Sequence, residues 1–122
     1  MNLTSAEWNV MDCLWERSPQ SSMELVDALG KRVGWSKSTT LTMLKRMAEK
    51  NLVLCDNNGK QRMYAPLLDR DAAAKKETES FLKRVYKGSV SLMVSAMTQK
   101  QELSEEEITE LYEILEKCRK KG

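Results

Sequence analysis

The pattern Ser/Thr-x-x-Glu occurs three times, at Thr4 to Glu7, Ser21 to Glu24 and Ser104 to Glu107, each time just ahead of an apolar run. A hydroxyl capping the first turn and a carboxylate three residues on satisfy two orphan backbone donors, so each pattern predicts where a helix starts. Two such starts so close together force a helix, short link, helix opening. The first predicted helix covers about 5–17, with Met11, Leu14 and Trp15 on one stripe and Trp8 a turn earlier; Ser18-Pro19-Gln20 ends it. The second covers about 22–30 on Leu25, Val26 and Leu29, with Gly30 placed to stop it. After the basic link Lys31 to Trp35, Ser36 caps a third helix over about 36–50, and Asn51 sits where a C-cap belongs.

Leu52 to Cys55 reads as a short strand, Asn57-Asn58-Gly59-Lys60 as a turn, and Gln61 to Ala65 as the returning strand that Pro66 ends. Asp69 or Asp71 caps a fourth helix carrying Phe81, Leu82, Val85 and Tyr86. Gly88 and Ser89 interrupt it, a further helical stretch runs over about 89–98, and the third capping pattern opens a last helix with Ile108, Leu111, Leu115 and Cys118 at heptad-like spacing. The expected fold is mainly α: a winged helix-turn-helix of three helices and a β-hairpin over 1–68, then a helical region over 69–122.

Composition excludes much chemistry. The 122 residues contain no histidine, so there is no His base and no His-dependent nucleophile or zinc motif. Cys13, Cys55 and Cys118 stand apart and read as free thiols, and none of the five glycines builds a phosphate-binding loop. Glu105, Glu106 and Glu107 are consecutive, so they point around a helix and serve capping and solvation. No catalytic residue, metal site or cofactor is expected. No apolar run approaches the ~20 residues of a membrane span, and the opening lacks a signal-peptide pattern, which makes the cytoplasm the expected location.

Charge is the positive signal. The net is only +2, but residues 31–62 hold eight bases (Lys31, Arg32, Lys37, Lys45, Arg46, Lys50, Lys60, Arg62) against two acids (Glu49, Asp56). Such a block on a third helix and hairpin is the footprint of a polyanion. A helix can enter the major groove while the preceding one braces it on the backbone, and phosphate contacts supply affinity through counterion release. Thr40, Met43, Leu44 and Met47 follow the 3–4 spacing of a core stripe. Lys37, Ser38, Leu41, Thr42, Lys45 and Arg46 lie outside it and form the predicted DNA face, with Lys60 and Arg62 on the wing. Leu41 has two readings, core filler or an exposed contact for a thymine methyl. Trp8, Trp15 and Trp35 fit core positions better than stacking platforms.

These residues resemble the penicillinase-repressor and methicillin-resistance-repressor family, which has copper-responsive relatives. The resemblance lies in Leu3 to Met11 with Leu14-Trp15, in Ser36 to Met47, in Leu52-Val53 and Tyr64-Ala65-Pro66, and in Phe81-Leu82, Tyr86, Gly88, Glu107-Ile108, Glu110-Leu111 and Ile114-Leu115. It spans nearly the whole chain. It implies a homodimeric transcriptional repressor on a palindromic operator, with double-stranded DNA and a second copy as partners. It also implies control by a membrane sensor metalloprotease responding to β-lactam, directly or through a downstream protease. Carried over by alignment, the family's scissile bond falls between Ala96 and Met97, where the family has Asn-Phe. The copper-binding CxC pairs are absent, with only Cys118 in that region. The family carries Arg or Lys where Leu41 stands, which favours the exposed reading of Leu41.

The residues beyond 68 point to a dimer on their own terms. Phe81, Leu82, Val85, Tyr86, Leu92, Met93, Ile108, Leu111, Leu115 and Cys118 make apolar stripes on too few helices to close a core, so they need a partner surface, the alternative being that they fold back on the winged helix within one chain. The competing reading is a winged-helix protein-interaction module, which does not need the basic block.

Overall fold

A computed structural model describes residues 2–99 and 102–121. Six helices and three short strands follow the order α1 (Ser5–Glu16), β1 (Gln20–Ser21), α2 (Ser22–Val33), α3 (Lys37–Glu49), β2 (Val53–Asp56), β3 (Met63–Pro66), α4 (Arg70–Tyr86), α5 (Val90–Thr98) and α6 (Glu105–Lys121). The chain divides into two compact units, Met1–Ser80 and Phe81–Gly122, and α4 begins in the first and ends in the second.

The first unit is a winged helix. Both N-terminal capping boxes form in full: Thr4 and Glu7 exchange hydrogen bonds of 2.8 and 3.1 Å, and Ser21 and Glu24 exchange bonds of 3.0 and 3.1 Å. The core is built from Val10, Met11 and Leu14 of α1, Leu25 and Leu29 of α2, and Leu44 and Met47 of α3, closed by Leu52, Val53 and Tyr64 from the sheet region. Trp15 and Trp35 pack partly buried against it. Trp15 also donates its indole N–H to the Leu68 carbonyl at 2.9 Å, and Trp8 meets the Trp15 ring edge-on at 5.4 Å.

Three local expectations need correction. Gly30 does not end α2. The helix runs on to Val33 and stops at Gly34, whose φ of 72° is the left-handed conformation suited to glycine. The Asn-Gly sequence does not make a two-residue turn. β2 and β3 pair only from Val53–Pro66 to Asp56–Met63, which leaves residues 57–62 as the wing loop and Gln61 and Arg62 outside the returning strand. Asp56 starts that loop by accepting the Asn58 N–H at 2.9 Å. The sheet also has a third strand, β1, paired antiparallel with β3 so that the order is β1-β3-β2.

In the second unit, Lys87 and Gly88 both take positive φ, which separates α4 from α5. Ser89 and Ser104 cap α5 and α6, accepting the Leu92 and Glu107 N–H groups. Phe81 and Tyr86 meet edge to face at 5.7 Å. Neither α5 nor α6 contains a buried residue.

Candidate nucleic-acid interface

The outer face of α3 is set by its inner one. Thr40, Leu44 and Met47 are fully buried, and their 4- and 3-residue spacing turns Lys37, Ser38, Leu41, Thr42, Lys45 and Arg46 outward. All six are exposed, as are Lys60 and Arg62 in the wing loop. Leu41 is 36% exposed and takes no part in the core. The Ser36 side chain accepts the Thr39 N–H at 3.2 Å and fixes the start of the helix.

The structure brings α3 and the wing together. Leu41, Thr42 and Lys45 share a shallow groove of about 290 Å³ with Arg62 and Tyr64. Ser22, at the first turn of α2, lies on the same groove and donates its N–H to the Arg62 carbonyl at 3.1 Å. Tyr64 is buried beneath; burial and the neighbouring Cys55 push its hydroxyl pKa up, against an opposing pull from Arg62, so it stays neutral. Lys37, Ser38, Arg46 and Lys60 do not line this groove.

Ion pairing sorts the eight bases of the 31–62 block. Lys31 pairs with Asp27, Arg32 with Glu16, and Lys50 with Glu7. Among the described residues, Lys37, Lys45, Arg46, Lys60 and Arg62 form no salt bridge. Lys45 and Arg62 line the α3–wing groove, and Lys37, Arg46 and Lys60 are exposed on the same two elements. That surface therefore carries an uncompensated positive field suited to a polyanion.

Two features of the scaffold escaped the sequence pattern. Buried Gln20 donates its side-chain amide to the carbonyls of Cys13 (2.8 Å) and Arg17 (2.7 Å), satisfying acceptors at the end of α1. Glu7, 3% exposed, caps α1 and also receives Lys50, the C-cap of α3, at 2.7 Å. Burial alone would raise the Glu7 pKa. Hydrogen bonds from Lys50 and the Thr4 backbone outweigh it and hold the carboxyl below the ordinary carboxylate range. The only sequence trace of the ion pair is that Glu7 opens one helix and Lys50 closes another.

Among the described residues no cluster of His, Cys, Asp and Glu could hold a metal ion, and no helix is long and apolar enough to cross a membrane. Cys13 is buried and its thiol pKa is pushed up by that burial, whereas Cys118 is exposed on α6.

The penicillinase repressor family model matches residues 3–117. A penicillinase repressor of Bacillus licheniformis is 36% identical over 121 residues, which cover 98% of this chain and 94% of the relative. The methicillin resistance regulatory protein MecI of Staphylococcus aureus (strain N315) is 30% identical over 115 residues, 94% of each chain. Among solved structures, the solution structure of the DNA-binding domain of the repressor BlaI superposes with a TM-score of 0.52 at 30% identity, covering 57% of this chain and 90% of that one. The chain belongs to the penicillinase repressor family, a family of DNA-binding transcriptional repressors and not of enzymes.

Proposed function

We propose that the chain is a homodimeric cytoplasmic repressor that binds a palindromic operator. Each winged helix lays α3 in the major groove. Lys37, Ser38, Leu41, Thr42, Lys45 and Arg46 face the DNA, and Lys60 and Arg62 reach flanking phosphates from the wing. The observation that carries this reading is that the exposed cations of α3 and the wing, Lys37, Lys45, Arg46, Lys60 and Arg62, form no salt bridge among the described residues. The division of labour runs at 1–68 for DNA and 69–122 for the dimer. The compact unit extends further, to Ser80, consistent with Ala73 of α4 being buried.

The dimer is supported by the second unit itself. Phe81, Val85, Leu92, Leu111, Leu115 and Cys118 are exposed, and Leu82, Tyr86, Met93 and Ile108 are only partly covered. Val94, Met97 and Ile114 add to the uncovered apolar surface at 40–60% exposure. Val94, Met97, Leu103, Leu111 and Ile114 line one apolar groove between α5 and α6, and exposed apolar surface of this kind supports an interface. A twofold pair presents two recognition helices to two half-sites. Release from DNA in response to β-lactam or a related stress, through a membrane sensor metalloprotease or a downstream protease, would proceed by cutting Ala96–Met97. Both residues are exposed on α5. The cut would detach α6 from the DNA-binding unit.

The test is selection of bound duplexes from random-sequence DNA with the full chain, followed by a salt titration on the winner. A short palindrome whose affinity falls steeply with salt is the expected result. Salt-sensitive background with no selected sequence would sink the proposal and leave a protein-interaction module.

A further inference from the structure

Leu41 is the one large apolar side chain on an otherwise polar and cationic face. On α3 its neighbours outside the core stripe are Lys37, Ser38, Thr42, Lys45 and Arg46, and at 36% exposure it borders the groove shared with Thr42, Lys45 and Arg62. An exposed leucine in such a position forfeits the stabilisation of burial unless a ligand covers it. Its surroundings restrict what that ligand is. The five cations without a salt bridge among the described residues suit a polyanion, and Leu41 suits an apolar group carried by that polyanion. Phosphates, sugars and most base edges in the major groove are polar. The group that meets both requirements is a methyl at C5 of a pyrimidine, which thymine presents in the major groove.

We propose that Leu41 is a specificity-determining residue that reads the C5-methyl of a pyrimidine in each operator half-site. Thr42, one residue on and exposed, carries a methyl that can flank the same contact. This inference rests on the DNA-binding reading above and names the base chemistry of that site. It sets a rule that depends on the methyl and not on the base's hydrogen-bonding edge: replacing the contacted thymine by uracil weakens binding although pairing is unchanged. Replacing it by cytosine weakens binding as well, and 5-methylcytosine recovers part of that loss.

The experiment uses the full chain and the selected duplex. Each thymine is replaced in turn by uracil and affinities are measured at fixed salt. One position per half-site is expected to lose about fourfold, the factor for one buried methyl-sized group. Leu41→Ala, an exposed position in a helix where alanine is favourable, is expected to bind the thymine and uracil duplexes alike. Its helicity is checked by circular dichroism, and Leu41→Met, which retains an apolar side chain, is expected to keep the preference. If no thymine-to-uracil change matters, or if the preference survives in Leu41→Ala, the assignment is overturned while the repressor reading stands. If the full chain selects no duplex at all, the repressor reading fails and takes this assignment with it.

Discussion

Thr40 is fully buried in the first turn of α3, and its hydroxyl finds no hydrogen-bond partner among the described residues. A buried hydroxyl without a partner costs about 1–3 kcal/mol, and an apolar group of the same shape removes that cost. Thr40→Val is therefore expected to raise stability by about 1 kcal/mol, read as a higher urea midpoint at unchanged slope. The Glu7–Lys50 pair acts in the opposite sense. Because the folded carboxyl titrates below its ordinary range, the pair's stabilisation is fully present above that range and is lost as pH falls through the lowered value. Glu7→Gln should cost about 1–3 kcal/mol at neutral pH, the scale of a hydrogen bond to a charged group. It should also lose less stability than the wild type when urea titrations are repeated in acid. An equal acid loss in both proteins would show that other carboxylates carry the effect.

Helix starts were legible because a capping hydroxyl and its partner carboxylate are local, and Thr4, Ser21 and Ser36 all cap where their neighbours predict. Helix ends were less so. Gly30 looked like a stop, but a Cβ there would meet only the Trp35 carbonyl, at an ordinary 3.6 Å, whereas Gly34 holds φ 72°. Gly30→Ala should thus stabilise by about 0.5–1 kcal/mol, and Gly34→Ala should destabilise by about 1 kcal/mol, both read from thermal melts. β1 has two residues, too few for any alternation to register, and its place beside β3 is decided by tertiary pairing. The outward face of α3 followed from the 3–4 spacing of Thr40, Leu44 and Met47. Ser22 and Tyr64 did not, because only the folded chain brings α2 and β3 to that groove. On that face, Lys45→Ala and Arg46→Ala should each weaken operator binding and lower the slope of log affinity against log salt by about one where a phosphate contact is lost. Unchanged affinity and slope would place the DNA elsewhere.

At the scale of the whole molecule, the two units differ in how they satisfy apolar surface. The first has a closed core, whereas α5 and α6 of the second contain no buried residue. Leu111 and Leu115, at 39% and 60% exposure, sit on the stripe that a second copy would cover. Leu111→Asp with Leu115→Asp should give monomers in light scattering and a large loss of operator affinity, with the winged helix still folded. A dimer mass that survives both changes would remove the dimer assignment from α6. The ion pair from Glu7 to Lys50 ties the start of α1 to the end of α3. Leu3 packs on the core, Thr4 and Glu7 cap α1, and Glu7 holds Lys50, the C-cap of α3. Glu7→Ala would alter none of the residues proposed to face DNA. It would nonetheless free Lys50 and undo the capping box of α1, and so change the proposed DNA-binding surface from the opposite side of the core.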